Sequence, residues 1–395
     1  MTGARVLQTL LVLAPLTAGP APWSATQATD YDVALRTAVN DLNAGRLLES
    51  VRRLSQLVND APALEAPYFY LSTIYTGTGD YELAERHIRS ALDLREDGAF
   101  LYQLGVIEHR RGDRRAALRT LDRAIARGPG QNTGAALRQI GEIRIELLEW
   151  NLAESAYRMA LAAEPEDART LLRFGQLHLD RNDPEQAVAA LVRALDIEPR
   201  LIDAYHALGL AYRRLGDAAS SIDIFRRGLE AAPSNQELRY GLGQSLVLAG
   251  RPDEGRRELE EYNRIRELLV QANTTFDTAG IRLREGRLDE AEELLEETLR
   301  LAPDYGPALS TMGVVLLEKG ESRNAILPLE RAVEVYPLDA ESWFNLGTAY
   351  FETGGIAEAL TATGNAILID PLASRYRERI EALQSMTERR DRRDD

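Results

Sequence analysis

The sequence predicts an all-α solenoid of stacked antiparallel helix pairs, and three observations carry that prediction. Proline recurs at a fixed interval: Pro165, Pro199 and Pro233 stand 34 residues apart, as do Pro303, Pro337 and Pro371. Glycine recurs in step with it, at Gly105, Gly141, Gly175, Gly209, Gly243, Gly313 and Gly347. Between these marks large apolar residues return at helical spacing, as in Tyr205, Leu208, Tyr212 and Phe225. A period of this length is the signature of an array, in which each unit buries its apolar face only against its neighbours. The 45% hydrophobic content supplies enough apolar surface for such a core. Length alone, at 395 residues, would suggest two or three domains; the period replaces that estimate.

The elements follow in chain order. Residues 1–28 read as an export signal: Arg5 precedes an apolar run from Val6 to Ala18, too short to span a membrane, and Thr26-Gln27-Ala28 offers small residues for cleavage after Ala28. Ten repeats are then placed, starting near Tyr31, Glu65, Gly98, Gly134, Ala168, Ile202, Gln236, Ala272, Gly306 and Ala340. In the sixth, a small residue lets two helices approach, Gly216 ends the first helix in the left-handed conformation, and Pro233 stops the second; the first repeat is degenerate and the second lacks the closing Pro. Asp217, just after Gly216, contributes to the turn or caps the next helix. Two places break the rhythm. Gly128–Gly134 is a longer loop, and the helix beginning near Asp253 runs on to about Asn273 without a Pro, which reads as a joint between repeats seven and eight or as one long second helix. After Pro371, Tyr376, Ile380, Leu383 and Met386 share one face of a capping helix, followed by a charged tail expected to fray. The expected organisation is therefore a leader at 1–28, repeats one to seven at 29–271, repeats eight to ten at 272–371, and cap with tail at 372–395.

The last repeat carries the clearest lettering: Trp343-x-x-Leu346-Gly347-x-x-Tyr350, then Ala359, Ala366 and Pro371, with Thr363 where an aromatic is usual. It resembles the tetratricopeptide repeat (TPR) family, and so do the fifth and sixth repeats. The resemblance implies a right-handed α-solenoid of about ten repeats whose first helices line a concave groove for a protein or peptide. Carried over position by position, it names Phe69 and Thr73, then Tyr102, His109 and Arg110, then Arg138 and Glu142. It continues with Arg169 and Gln176, His206, Arg213 and Arg214, Tyr240 and Gln244, Phe276, and finally Phe344 and Thr348. Rings and aliphatic stems would form pockets, while Arg, Gln and His would bond a peptide backbone and its acidic groups. The carboxylate clamp of chaperone-binding members is not expected. Arg169 and Arg173 resemble one limb of it, but Tyr102 and Val106 stand where the other limb needs a base and an Asn.

Composition narrows the function classes. A net charge of −15 argues against nucleic acid, whose binding rests on cationic side chains. Without Cys there is no disulfide, thiolate metal site, cysteine nucleophile or lipid-anchor thiol. The four histidines, His87, His109, His178 and His206, have no metal-ligand spacing, and no nucleophile elbow or phosphate-cradling loop is present, so neither cofactor nor metal is expected. Charge is uneven: Arg115, Arg119 and Arg123 lie at i, i+4 spacing, and the eighth repeat is acidic. These are read as solvated faces, or as a basic patch for an acidic partner or for self-association. The sequence thus leads to a non-enzymatic, exported, periplasmic or secreted scaffold that binds a protein or peptide in envelope assembly or secretion. The mature chain is expected to have no membrane span. The alternative is a polysaccharide binder of an export system, with Tyr102, Tyr240 and Phe344 stacking on sugars.

Overall fold

A computed structural model describes residues 25–127 and 132–394, so the expected leader lies outside the described residues up to position 24, as does the Gly128–Gly134 loop at 128–131. Among the described residues there are twenty helices and no strand. They are α1 (Ala25–Asn43), α2 (Leu47–Asp60), α3 (Glu65–Thr78), α4 (Tyr81–Leu94), α5 (Gly98–Arg110), α6 (Arg114–Arg127) and α7 (Thr133–Glu146). Next come α8 (Trp150–Ala163), α9 (Ala168–Asp180), α10 (Pro184–Ile197), α11 (Ile202–Arg214), α12 (Ala218–Ala231) and α13 (Gln236–Leu248). The chain closes with α14 (Pro252–Arg284), α15 (Leu288–Leu301), α16 (Gly306–Glu318), α17 (Ser322–Val335), α18 (Ala340–Glu352), α19 (Ile356–Ile369) and α20 (Ser374–Asp394).

Seven first helices begin on the residue that the Gly and Pro phase names: Glu65, Gly98, Ala168, Ile202, Gln236, Gly306 and Ala340. The fourth starts one residue early, at Thr133 instead of Gly134, and the first and eighth depart farther. Helix α1 starts at Ala25 rather than Tyr31, because no Gly or Pro intervenes. No helix starts at Ala272: α14 is continuous for 33 residues, since nothing between Gly255 and Gly280 interrupts it. Helix α20 likewise continues to Asp394, through the segment expected to fray.

Every turn inside a pair uses one left-handed residue. Glycine fills eight of these positions, including Gly216 at φ 78° and Gly250 at φ 75°, while Leu148 (φ 60°) and Asn182 (φ 58°) fill the other two. Asp217 follows its glycine and caps α12, its Oδ1 accepting from Ser220 N at 3.0 Å. In most pairs a glycine of the first helix receives a large side chain of the second. A Cβ added at Gly105, Gly141, Gly175, Gly209 or Gly313 would lie 2.3–2.7 Å from Leu121, Tyr157, Leu191, Phe225 or Leu329. This interlock, repeated along the chain, is what the glycine period encodes.

Packing groups the described chain into two units. One runs from Arg95 to Arg266, comprising α5–α13 and the first half of α14. Its core is continuous from Ala168 to Leu246, with Phe225 fully buried. Here each odd-numbered helix touches the next odd-numbered helix, whereas successive even-numbered helices do not pack to a comparable extent, so the odd helices form an inner layer. The other unit joins the residues up to Leu94 with those from Glu267 onward. In it α2 packs on α19, Arg52 Nη2 donating to Asn365 Oδ1 at 2.8 Å, and from α3 the Tyr75 hydroxyl donates to the Ile369 carbonyl of α19 at 3.2 Å. Its far end is closed by α20, through Tyr376 (2% exposed) and Leu383 (1%). No helix among the described residues is long and apolar enough to cross a membrane.

Candidate functional site

The inner layer of the Arg95–Arg266 unit brings together most of the residues the sequence nominates. Repeat packing places the same positions of α5, α7 and α9 side by side, and here those positions carry long polar side chains that reach from helix to helix. Gln139 on α7 donates to His109 Nδ1 on α5 at 2.7 Å and to Glu142 at 3.2 Å. With Nδ1 accepting, His109 carries its proton on Nε2 and donates it to Glu146 at 2.9 Å. Arg114 holds the other Glu146 oxygen at 2.6 Å. Arg114 and His109 keep the Glu146 carboxyl below the usual range, against an opposing effect of partial burial. On the far side, Arg173 of α9 donates to Glu142 at 2.9 Å and to Gln176 at 3.0 Å. One hydrogen-bonded run therefore crosses three successive pairs.

A second, deeper cluster underlies it. Arg138, with its side chain only 15% exposed, bridges to Asp167, which accepts from Thr170 Oγ1 at 2.5 Å and from the Arg169 amide at 3.1 Å as the cap of α9. Burial opposes the Arg138 charge, but the Tyr102 hydroxyl, Asp167 and Glu142 outweigh it and raise the pKa. Arg138 thus serves as a strut between α7 and α9. Farther along the layer Arg213 bonds Gln244, and Tyr240, 41% exposed, packs on Tyr262 with ring centroids 4.9 Å apart. His206 lies half-buried, 6.3 Å from the Phe225 ring, and burial lowers its pKa, with Arg213 adding to the effect and Glu237 and Asp203 opposing it. Arg110 is exposed at the end of α5.

Several nominated residues are not open to a ligand. Tyr102 is 7% exposed, and its hydroxyl is turned to Arg138, which with the core around α5 covers the ring. Phe69, 3% exposed, packs edge-on against Tyr70, and Thr73 is 3% exposed with its hydroxyl spent on the Phe69 carbonyl at 3.0 Å. In that same unit, Phe344 is half-buried against Tyr376 and lies under Arg375 and Arg379, because the capping helix covers it. These positions face the inner layer in an open repeat but become core where neighbouring side chains are large. Conversely, Gln139, Glu146 and Arg173 take part although the sequence reading did not nominate them as groove residues. Gln139 and Arg173 both occupy the sixth position of their repeats, next to the nominated fifth, and that shared register is the signal that could have found them.

The basic run on α6 is divided: Arg123 and Arg127 both engage Glu96, at 2.9 and 2.5 Å, whereas Arg115 and Arg119 are exposed. Among the described residues no group of His, Asp and Glu is arranged to hold a metal ion.

Comparison with known proteins agrees with this architecture. A family model described as tetratricopeptide repeat matches residues 71–132, 206–267 and 311–374, a second matches 274–297, and one described as TPR repeat matches 175–216. Among curated proteins the chain is 26% identical over 213 residues to protein FlbA of Caulobacter vibrioides, covering 53% of this chain and 35% of that protein. It is 24% identical over 190 residues to human protein O-mannosyl-transferase TMTC3, covering 47% of this chain and 20% of that one. It is 23% identical over 287 residues to cellulose synthase operon protein C of Escherichia coli, covering 67% of this chain and 23% of that one. The chain thus spans between 20% and 35% of the length of these relatives. Among solved structures, the MamA protein is 21% identical with a TM-score of 0.36, covering 43% of this chain and 92% of that one. A tetratricopeptide repeat protein from Parabacteroides merdae is 15% identical with a TM-score of 0.36, covering 73% and 98%.

Proposed function

Since the chain belongs to the tetratricopeptide repeat family, we propose that it is a non-enzymatic scaffold that binds an extended segment of a partner polypeptide along the inner layer of α5, α7, α9, α11 and α13. The observation that carries this reading is the run of Gln, Arg, Glu and His side chains crossing α5, α7 and α9. An extended segment presents an N–H or C=O about every 3.3 Å, and amide and guanidinium groups supply the matching donors and acceptors. Arg173, Gln176, Arg213 and Gln244 are bonded to one another or to neighbours at present, so a ligand exchanges bonds instead of filling vacancies. That exchange favours modest affinity with strong dependence on the ligand's acidic groups.

We place this activity outside the cytoplasm, in envelope assembly or secretion, on the strength of the residue 1–28 leader. Sequencing the mature N-terminus tests that placement, and a cytosolic protein retaining Met1 overturns it. The partner is a protein and not a nucleic acid, given the charge of −15. A second reading, polysaccharide binding, is favoured by the name of the E. coli relative, cellulose synthase operon protein C. The burial of Tyr102 and the covering of Phe344 weigh against it, because sugar stacking needs open rings. Affinity capture from an envelope fraction, with the wild type beside Arg173→Ala/Arg213→Ala/Tyr240→Ala, separates the readings. Protein bands lost with the variant support the inner-layer site, and bands retained unchanged sink it. Capture of polysaccharide in place of protein transfers the conclusion to the second reading.

A further inference from the structure

Between α17 and α19, over the edge of α18, the unit containing Glu267 onward holds a crevice of about 660 Å³. Its interior is apolar, with Leu327 (66% exposed) on one wall and Leu346, Trp343 and Tyr350 along the floor. The polar atoms of the two rings are already satisfied: the indole N–H donates to the Pro337 carbonyl at 2.9 Å, and the Tyr350 hydroxyl donates to Glu330 at 2.6 Å. What the rings present to the crevice is therefore apolar surface. The rim is acidic, with Glu330, Glu334 and Glu358 all exposed. One lining residue is cationic, Arg331, and it is occupied by the Pro303 carbonyl at 2.9 Å and Asp304 at 2.8 Å. The full set of three carboxylates is not repeated at every level of the array. At the same register above Tyr205, Leu208 and Tyr212, the corresponding positions are Val192, Asp196 and Ser220.

We propose that this crevice is a second docking site, which takes an Arg or Lys side chain from a basic segment of a partner polypeptide. The aliphatic stem lies on Leu327 and Leu346, and the cationic head sits against the Trp343 and Tyr350 rings under the Glu330, Glu334 and Glu358 carboxylates. Aromatic faces and carboxylates both attract a cation, and apolar walls suit the methylenes that carry it. This surface is made by the second helices α17 and α19 over the edge of the first helix α18, and none of its lining residues belongs to the inner layer described above, so its test does not depend on that reading.

Trp343 supplies the readout. In a Trp23→Phe/Trp150→Phe background it is the sole indole, as the chain has three tryptophans. The probe is an alanine-based helical peptide carrying Arg and Leu one turn apart, beside the same peptide with Gln for Arg, at physiological salt to screen diffuse attraction to the acidic surface. The Arg peptide should change Trp343 emission saturably, and the Gln peptide should bind roughly tenfold more weakly. Glu330→Gln/Glu334→Gln/Glu358→Gln should lose affinity by a similar factor. Glu260→Gln/Glu293→Gln/Glu296→Gln, which removes as much charge elsewhere, and Arg173→Ala/Arg213→Ala/Tyr240→Ala should both bind as the parent does. Equal binding of the two peptides, no response of Trp343, or equal losses in the two carboxylate variants overturns the proposal.

Discussion

Replacing Gly241 by alanine should destabilise the Arg95–Arg266 unit, even though alanine is the better helix former. The reason is Phe225, fully buried between two helices, with Gly209 on one side and Gly241 on the other. An added Cβ at Gly241 would stand 2.3 Å from the Phe225 Cζ, more than 1 Å inside ordinary contact, and that ring edge has Gly209 directly behind it, where a Cβ would lie 2.5 Å away. Helix propensity favours the change by about 1 kcal/mol, whereas forced overpacking typically costs about 1–3 kcal/mol beyond a tolerated fit. The net expectation is a loss of up to about 2 kcal/mol. The chain contains its own compensated version of this contact: one repeat earlier, Leu191 occupies the position of Phe225 and Ala207 that of Gly241. Phe225→Leu alone should cost about 1 kcal/mol for lost packing, and Gly241→Ala in that background should cost nothing or stabilise, a coupling of about 2 kcal/mol. Urea unfolding followed by helical circular dichroism measures it, with the four chains fitted to a nearest-neighbour treatment because long arrays need not unfold in one step. Effects that add within about 0.5 kcal/mol would refute the steric account.

Three further outcomes follow from single contacts. Leu148 is held at φ 60° with 70% of its surface exposed, where eight other turns use glycine, so Leu148→Gly should raise stability by about 1 kcal/mol and an unchanged urea midpoint would count against strain. The Thr363 hydroxyl is buried without a hydrogen-bond partner beside Gly347, so Thr363→Val should stabilise the other unit by about 1 kcal/mol, and a loss would mean that the hydroxyl is bonded after all. His87 stacks on Tyr75 at 5.5 Å, and burial, with Arg86 adding to it, pushes its pKa down to about 4. Its folded-state pKa thus lies below the unfolded value, the unfolded chain takes up the proton first, and stability falls as pH drops from about 6.5 toward 4. Between pH 7 and pH 5 the wild type should lose about 2 kcal/mol from this residue, and His87→Phe should remove that part of the dependence; equal pH slopes would exclude it.

The positions that could be read in advance are those that packing repeats. Glycine at the eighth position and proline at the end of the second helix recur because every pair must bring two backbones together and then stop, so they placed seven first helices to the residue. The turn at Leu148 escaped because neither glycine nor asparagine marks it, and the spacing alone would have to reveal it. The continuity of α14 was only half legible, since a missing Pro shows where a helix fails to stop but not that the next helix joins it in line. The glycine at the eighth position was read as a close helix contact, whereas the structure shows it to be a socket for the large residue sixteen positions on, such as Phe225 for Gly209. The grouping of α1–α4 with α15–α20 has no local signature, because it rests on contacts such as Tyr75 to Ile369 between residues far apart in the chain.

The inner-layer residues are harder to read for the opposite reason. At the fifth position the chain has Tyr102, Arg138, Leu172, His206 and Tyr240 in successive repeats, and at the ninth Val106, Glu142, Gln176, Leu210 and Gln244. Position alone fixes which helix face they occupy, but whether each is open depends on the size of its neighbour one repeat away. Tyr102 is covered because Arg138 reaches back to it, while Tyr240 packs on Tyr262 and stays 41% exposed. Burial of Tyr102 and Arg138 together makes them one mechanical element that fixes α7 against α9 through Asp167. The members that keep surface open, the exposed Arg173 and Tyr240 and the half-buried Gln176, Arg213 and Gln244, are then the ones left to discriminate a ligand. Binding energy on this layer should accordingly track substitutions at those five positions. Substitution of Arg138, which leaves Asp167 without its buried partner, should appear first as lost stability.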